Sequence, residues 1–512
     1  MGTQNNHTSV ERIGSRLELL LDDHLIETMD SVRFVLHKPT PNDIAIEHDM
    51  PWEGNISYYH TVFKDGDTYK MYYRGADTPG DNEDNIYGFA HPVVCYAESN
   101  DGIHWEKPNL GIVEFNGSKD NNIIVDWLRG HTIAAFKDPN PNCNPDESYK
   151  AIVKRYVEGK YAGGLYPLKS HDGINWSMMT ETPVITKGTL DSQNLAFWDS
   201  EKKCYVAYHR EMRKEPTSGS ASGQGMINNI SKDKKVLTPE EAEDDRTEIL
   251  DPDSWTGFRD IMISTSDDFI NWTDSELLSY PGSPSEHLYT NQITQYHRAP
   301  HIYFGLPKRY VPEHNAPSNL TEPDTGSSDI LFMSSRDGKD FKRWGEALIR
   351  PGPQKERWVN RNNLAAWGIL ETASRIPNTP NELSIYSIEG YKGTNGARMR
   401  RYTQRLDGFV SAQATLNGGA LTSKTISFEG KCLEINYSTS AAGSILTEIQ
   451  DRNGRAIEGF ELSNSVELFG DSVSQKVTWA GNPNLSKIEG KPIKLKFVMK
   501  DADLFSFKFN KD

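Results

Sequence analysis

Ser99-Asn100-Asp101-Gly102-Ile103-His104-Trp105 returns as Ser170-His171-Asp172-Gly173-Ile174-Asn175-Trp176 and as Ser266-Asp267-Asp268-Phe269-Ile270-Asn271-Trp272. It returns again as Ser335-Arg336-Asp337-Gly338 leading to Trp344, and in worn form as Leu406-Asp407-Gly408-Phe409. The aromatic ends stand 71, 96, 72 and 65 residues apart, and a period of that order marks a chain assembled from stacked supersecondary units. Short runs upstream of the copies, such as Tyr69-Lys70-Met71-Tyr72-Tyr73, Tyr149-Lys150-Ala151-Ile152-Val153 and Cys204-Tyr205-Val206-Ala207-Tyr208, read as strands. Within the motif the Asp can hydrogen-bond the backbone of its own turn, Gly supplies positive φ, and the Trp can wedge between neighbouring units. Five units predict an all-β fold, a five-bladed β-propeller with blades longer than WD40 repeats.

Composition narrows the class. The chain has 512 residues, 36% hydrophobic, 10% aromatic and 25% charged, enough for a sizeable core and more than one domain. A formal charge of −16 disfavours nucleic acid and anionic membranes as partners, because both select clustered Lys and Arg. No long apolar run predicts membrane insertion. The start of the chain lacks the basic-then-apolar layout of a signal peptide; a periplasmic or secreted protein is expected, its leader absent from this chain, with a cytoplasmic one left open. Cys95, Cys143, Cys204 and Cys432 are scattered, with no metal or redox spacing, and read as free thiols. No metal and no cofactor is expected.

Residues 15–410 read as the propeller, with residues 15–40 supplying an outer strand that helps close the ring. The long spacing comes from 211–256, a polar insertion rich in Ser, Gly, Glu and Asp. Residues 411–512 change texture: alternating strands such as Cys432-Leu433-Glu434-Ile435-Asn436-Tyr437 and Ile493-Lys494-Leu495-Lys496-Phe497-Val498, between Gly, Asn, Asp and Pro turns, predict a β-sandwich.

A propeller does its chemistry where the innermost strands converge, so polar residues ahead of each blade's first strand are the candidates. Blade one opens with Trp52-Glu53-Gly54-Asn55, blade two with Phe136-Lys137-Asp138-Pro139, blade three with Asp191-Ser192-Gln193-Asn194, blade four with Ser285-Glu286-His287 and blade five with Asn360-Arg361-Asn362-Asn363. Glu53, Asp138, Asp191 and Glu286 are therefore expected around one axis. Carboxylates facing each other across a pocket push their pKa values apart, leaving one as acid and another as base or nucleophile, the pair that glycosidic cleavage uses.

On these segments the sequence resembles the five-bladed glycoside hydrolases of families 32 and 43, the invertase, fructanase and arabinosidase group, over nearly its whole length. Phe136-Lys137-Asp138-Pro139 is similar to that group's Arg-Asp-Pro motif, with Lys137 for Arg, and Trp52-Glu53-Gly54-Asn55 stands in the place of its Asn-Asp-Pro-Asn motif, with Glu for Asp and no Pro. The resemblance implies that Asp138 stabilises the transition state, that Glu53 is nucleophile or base, and that Asp191 or Glu286 is the acid. It also implies an exo-acting hydrolase that takes an oligo- or polysaccharide.

His60, Arg74, His209, Arg210, Arg259, Tyr289, Asn291, His301, Arg361 and Asn362, with Tyr58 and Asp260, qualify by position as substrate-binding residues. Their arginines can fork onto a sulfate or uronate or pair with Asp within blades. A glycoside phosphorylase, with Arg210, Arg259 and Arg361 as its phosphate site, and a non-catalytic sugar-binding propeller are the alternatives.

Overall fold

The computed structural model describes residues 10–78, 90–128, 132–157, 160–213, 257–314, 326–393 and 396–511. The described chain is β throughout apart from short 3₁₀ turns, and it divides into two compact units.

One unit comprises 39–375 and 382–403 and holds five four-stranded antiparallel sheets that follow one another along the chain. The first is Tyr58–Asp65, Thr68–Asp77, Ala90–Ser99 and Ile123–Val125; the second is Ala134–Lys137, Tyr149–Val157, Lys160–Ser170 and Ser177–Met178. The third is Leu195–Asp199, Cys204–Arg213, Phe258–Ser266 and Glu276–Leu277; the fourth is Thr294–Tyr296, Ala299–Gly305, Met333–Ser335 and Lys342–Arg343. The fourth is extended by a three-stranded piece, His287–Thr290, Lys308–Val311 and Ser327–Ile330. Pro307, which has no N–H to offer a ladder, stands where the two pieces part. The fifth is Leu370–Thr372, Glu382–Glu389, Arg398–Arg405 and, antiparallel to the last, Thr40–Glu47. The closing strand is therefore Thr40–Glu47, which corrects the expectation that 15–40 provides it.

The repeated turn holds these sheets to each other. Ser99 Oγ receives the Gly102 N–H at 2.9 Å, while Asp101 Oδ1 takes the N–H groups of Ile103 and His104 at 2.7 and 2.8 Å. The copies at Asp172, Asp268 and Asp337 repeat the arrangement. The turn's carbonyl is then free to face a neighbour: Tyr72 OH donates to Gly173 O at 2.9 Å and Tyr208 OH to Gly338 O at 2.8 Å. Tyr386 OH does the same to Gly102 O, taking the fifth sheet back to the first. Trp176 packs edge-on against Tyr72, and Trp105 against Tyr386. A second set of ties runs from the end of a sheet's first strand: Tyr149 OH reaches Asp65, Tyr205 OH reaches Asp138 at 2.6 Å and Tyr303 OH reaches Asp199.

The other unit, 1–38, 376–381 and 404–512, is built on one ten-stranded sheet. Its spine is the antiparallel pair Cys432–Asp451 and Ile493–Asn510, and Ile26–Asp30 and Val32–Leu36 join the strands Gly419–Ser423 and Val410–Ala414. Leu433, Ile435, Ile449, Leu495, Phe497, Leu504 and Phe509 alternate inward into a shared apolar core. The worn turn Leu406–Phe409 lies in this unit, where Asp407 accepts from Ser506 at 3.0 Å and from the Asn436 amide at 3.2 Å. Residues 214–256, nearly all of the expected insertion, lie outside the described residues.

Candidate functional site

Near the first strands of several sheets stand buried polar residues, and at these starts the backbone takes conformations that side chains resist. Tyr59, Gln292, Arg361 and Asn363 have φ of 56°, 44°, 72° and 55°, in the left-handed region that non-glycine residues rarely occupy. Such residues persist where the surroundings over-determine them, and they gather at ligand clamps and active sites. Asn362 holds one of these turns: its amide donates to Glu356 O at 3.0 Å and accepts from the Tyr391 N–H at 3.0 Å, which presents Arg361. Gln193 holds another, donating to Tyr59 O and His60 O at 3.2 Å each and accepting from Gln292 at 2.7 Å. Asn291 donates to Tyr208 O at 3.3 Å and braces the Ile293 N–H.

Five cations meet around the tyrosines at these starts. Arg74 lies over Tyr58 and Tyr59, its guanidinium 5.8 and 5.2 Å from the ring centres. Lys308 donates to Tyr58 OH and to Asn360 at 3.2 Å each and lies 4.7 Å from the Tyr289 ring. Arg210 and Arg259 stand 5.3 and 5.8 Å from that same ring. Arg361 donates to Tyr391 OH at 3.1 Å, and Tyr391 packs on Tyr58 at 4.9 Å. Tyr59 OH and Tyr289 OH are 3.3 Å apart. Asp191 joins the group through its ion pair with Arg210. Tyr58, Tyr59, Arg74, Arg210 and Lys308 form a buried floor, and Asp191, Arg259, Tyr289 and Arg361 a half-buried rim. Burial pushes the Tyr289 phenol up, but Arg361, Arg210, the Tyr59 hydroxyl and Arg259 outweigh it, and the net shift is downward.

Of the four carboxylates expected at one axis, Asp191 alone is tied into this cluster by the contacts among described residues. The place given to Asp138 is corrected: it follows the strand Ala134–Lys137 instead of preceding it, and it is held by Lys150 Nζ and Tyr205 OH at 2.6 Å each. Tyr205 and Arg210 share one strand, so their backbones stand roughly 17 Å apart, and Asp138 belongs to the opposite end of the sheet. Asp65 and Asp199 hold equivalent ties, which makes Asp138 a recurrent joint. Glu53 is fully buried, accepting from Tyr73 OH at 2.5 Å, Lys107 Nζ at 2.7 Å and the Met50 N–H at 2.9 Å. Burial raises its pKa, but His48 and Lys107 outweigh burial and bring it down to about 2. Glu286 is clasped by Arg309 at 2.9 Å and by Arg343. It shares a cleft with Asp260, Tyr280 and Arg213 of about 10 Å³, room for one water and too small for a sugar. No residue partners two of these four among the described contacts.

The histidines fall outside the cluster's rim. His60 is buried with its Nε2 2.8 Å from His48 Nε2, and burial, then His48 and Arg74, hold it well below the usual range and neutral. His209 sits on Ser275 and Ser264, with burial bringing it to about 4. His301 lies in Ala299–Gly305, two residues before Tyr303, the Asp199 partner. That is the strand end away from Lys308, roughly 20 Å along an extended run.

Tyr59, Lys308 and Tyr391 belong to the cluster without having stood among the candidates. A signal for Lys308 was present: a tyrosine followed five residues later by a cation occurs as Tyr69/Arg74, Tyr149/Lys154, Tyr205/Arg210 and Tyr303/Lys308. The first three pairs each lie on the second strand of their sheet, Lys308 opens the strand that follows Tyr303's past Pro307, and all four cations are buried. Tyr391 carries no comparable spacing. Groups of His, Cys, Asp and Glu able to hold a metal ion are absent among the described residues. Among those residues no helix is long and apolar enough to cross a membrane.

No family model matches the chain. It is 30% identical over 172 residues to uncharacterized proteins from two strains of Mycobacterium tuberculosis, covering 32% of this chain and 47% of theirs; the chain thus spans about half the length of the curated relatives it matches. Among solved structures it is similar to a glycoside hydrolase at TM-score 0.43 and 10% identity, over 72% of this chain and 92% of that one. It is similar to a GH32 β-fructofuranosidase of Bombyx mori at TM-score 0.39 and 11% identity, over 92% and 95%. An endo-arabinase of Bacteroides thetaiotaomicron gives TM-score 0.38 and 9% identity, over 71% and 98%.

Proposed function

We propose that the chain is a glycoside hydrolase that works at the end of an oligo- or polysaccharide, its five four-stranded sheets the blades of a propeller and its ten-stranded sheet a β-sandwich. The observation that supports this reading is the meeting, at the starts of the innermost strands, of tyrosine faces with fixed polar groups. Tyr58, Tyr59, Tyr289 and Tyr391 lie together with Asp191, Arg210 and Arg361 on a floor and half-buried rim. A sugar ring has apolar C–H faces and a girdle of hydroxyls, and a site that holds it needs both kinds of partner. In this reading Asp191, ion-paired with Arg210, is the base or nucleophile of the reaction. Glu53, Asp138 and Glu286 then serve the framework.

The test is a panel of neutral and acidic oligosaccharides assayed for released monosaccharide, with Asp191→Asn beside the parent. Release by the parent and a loss of at least about a hundredfold in the variant, at unchanged melting temperature, is expected for a lost base or nucleophile. No release from any glycan, or full turnover in Asp191→Asn, would overturn the reading.

A further inference from the structure

We infer that a groove at the join of the fifth and first sheets, apart from the tyrosine cluster, binds an uncharged stretch of oligo- or polysaccharide. The groove holds about 510 Å³, a size that suits a small ligand or a few sugar units. One wall is the closing strand Thr40–Glu47, through Ile44, Ala45 and Ile46, and Met50 continues it; the other is the end of the first sheet's turn, where Trp105 leads into Glu106 and Lys107. The closing strand sets this join apart. It runs for eight residues, whereas the outer strands of the other four sheets, Ile123–Val125, Ser177–Met178, Glu276–Leu277 and Lys342–Arg343, have two or three.

The lining divides as a sugar ring does, into apolar faces and a polar edge. Trp105 departs from two other copies of its turn. Trp176 and Trp272 donate the indole N–H to a carbonyl of their own turn at 3.0 and 3.1 Å, but the matching carbonyl, Gly102 O, receives Tyr386 OH. Trp105 stays half-buried on the groove that the exposed Met50 also lines, and an indole among aliphatic side chains suits the C–H face of a sugar. Glu47, Asp49 and Glu106 are exposed on the same groove, as acceptors for ring hydroxyls. Lys107, the cation among the described lining residues, is turned into the fold, where its Nζ donates to Glu47 O at 2.6 Å, to Asp49 at 2.9 Å and to Glu53 at 2.7 Å. A ligand therefore meets carboxylates, which repel an acidic glycan. A cation gains little here, since exposed ion pairs are worth at most about 1 kcal/mol, whereas the apolar wall is covered only by a ligand that brings an apolar face.

Residues 48–57 carry the chain from this wall to Tyr58 on the cluster floor, and the closing strand stands three strands from the first strand of its sheet, about 14 Å at roughly 4.8 Å per strand. The groove can thus hold the body of a polymer whose end lies at the cluster. That service to turnover rests on the hydrolase reading; the binding itself does not. The experiment titrates the full chain and its Asp191→Asn variant with cellohexaose, arabinohexaose, hexameric glucosamine and hexagalacturonate by calorimetry at low and high salt. The double variant Glu47→Ala, Glu106→Ala runs in parallel, and amide hydrogen exchange maps the bound state. At least one neutral hexamer should bind, independently of salt, and protect 44–50 and 105–107. The double variant should weaken it about tenfold, as for the loss of one or two hydrogen bonds. Stronger binding of the glucosamine hexamer that fades with salt assigns the groove to cations and overturns the proposal, as does hexagalacturonate bound as well as the neutral glycans. Binding untouched by the double variant, protection confined to the strand starts at Tyr59 and Arg361, or failure of both neutral hexamers to bind sinks it too. Release of sugar from a glycan with no protection at the groove would leave the hydrolase reading standing and remove this one, whereas protection at the groove without release from any glycan would do the reverse.

Discussion

Glu53→Gln separates chemistry from framework at the residue that the resemblance to families 32 and 43 makes nucleophile or base. In the folded protein Glu53 is fully buried against Tyr73, Lys107, His48 and the Met50 N–H, and its pKa falls from 4.5 to about 2. A drop of that size corresponds to about 3 kcal/mol, at roughly 1.36 kcal/mol per pKa unit. Because the folded pKa is the depressed one, this stabilisation is complete above the unfolded value near 4.5 and is lost as pH falls toward 2. Glutamine keeps the shape and can still accept from Tyr73, but it leaves Lys107 with Asp49, 2.9 Å away and exposed, as its carboxylate partner. Urea unfolding at pH 7 should show a loss of about 3 kcal/mol, in the range for breaking one side of a buried pair. The gap between parent and variant should narrow between pH 4.5 and pH 2. Turnover of the folded variant at pH 7 should stay within about threefold of the parent, below one kcal/mol of barrier. If turnover falls a hundredfold while the unfolding midpoint stays where it was, Glu53 belongs to the chemistry and the structural account of it is wrong.

Asp138→Asn should cost about 1–3 kcal/mol, because it strands the buried Lys150 ammonium while sparing the cluster; a chemical denaturation curve together with an unchanged KM would check it. Gly173→Ala should destabilise by about 1–3 kcal/mol, since a Cβ there meets Tyr72 OH at 2.7 Å and φ is +80°; a drop in melting temperature with retained near-ultraviolet dichroism is the expected pattern. Asp172 and Asp268, both brought down to about 2 as backbone and side-chain hydrogen bonds in their turns outweigh burial, lend stability that is full above about pH 3.8 and fades toward pH 2. Acid unfolding of Asp172→Asn should therefore begin from a lower baseline and respond less to pH in that window.

The repeat, the strands and the turn chemistry were legible in the sequence because they are local. A Ser, an Asp and a Gly spaced as in Ser99-Asn100-Asp101-Gly102 satisfy their own turn, and each copy does so without help from distant chain. Alternation likewise marked the strands from Cys432 and Ile493, whose side chains face one core. The closing strand was not legible, since Thr40–Glu47 pairs with Arg398–Arg405 across more than 350 residues, and such pairing depends on where the ends of the chain meet. The candidate site divides along the same line. That Asp191, Arg210 and Arg361 are polar residues near strand starts could be read directly; that they converge with Lys308 on Tyr289 is decided by which strand ends share one side of their sheets. Asp138 shows the physical limit most clearly. An Asp beside a strand has the same local chemistry at either end, and only the Tyr205 hydroxyl and the Lys150 ammonium, brought up by pairing between strands and sheets, determine that this one joins the framework.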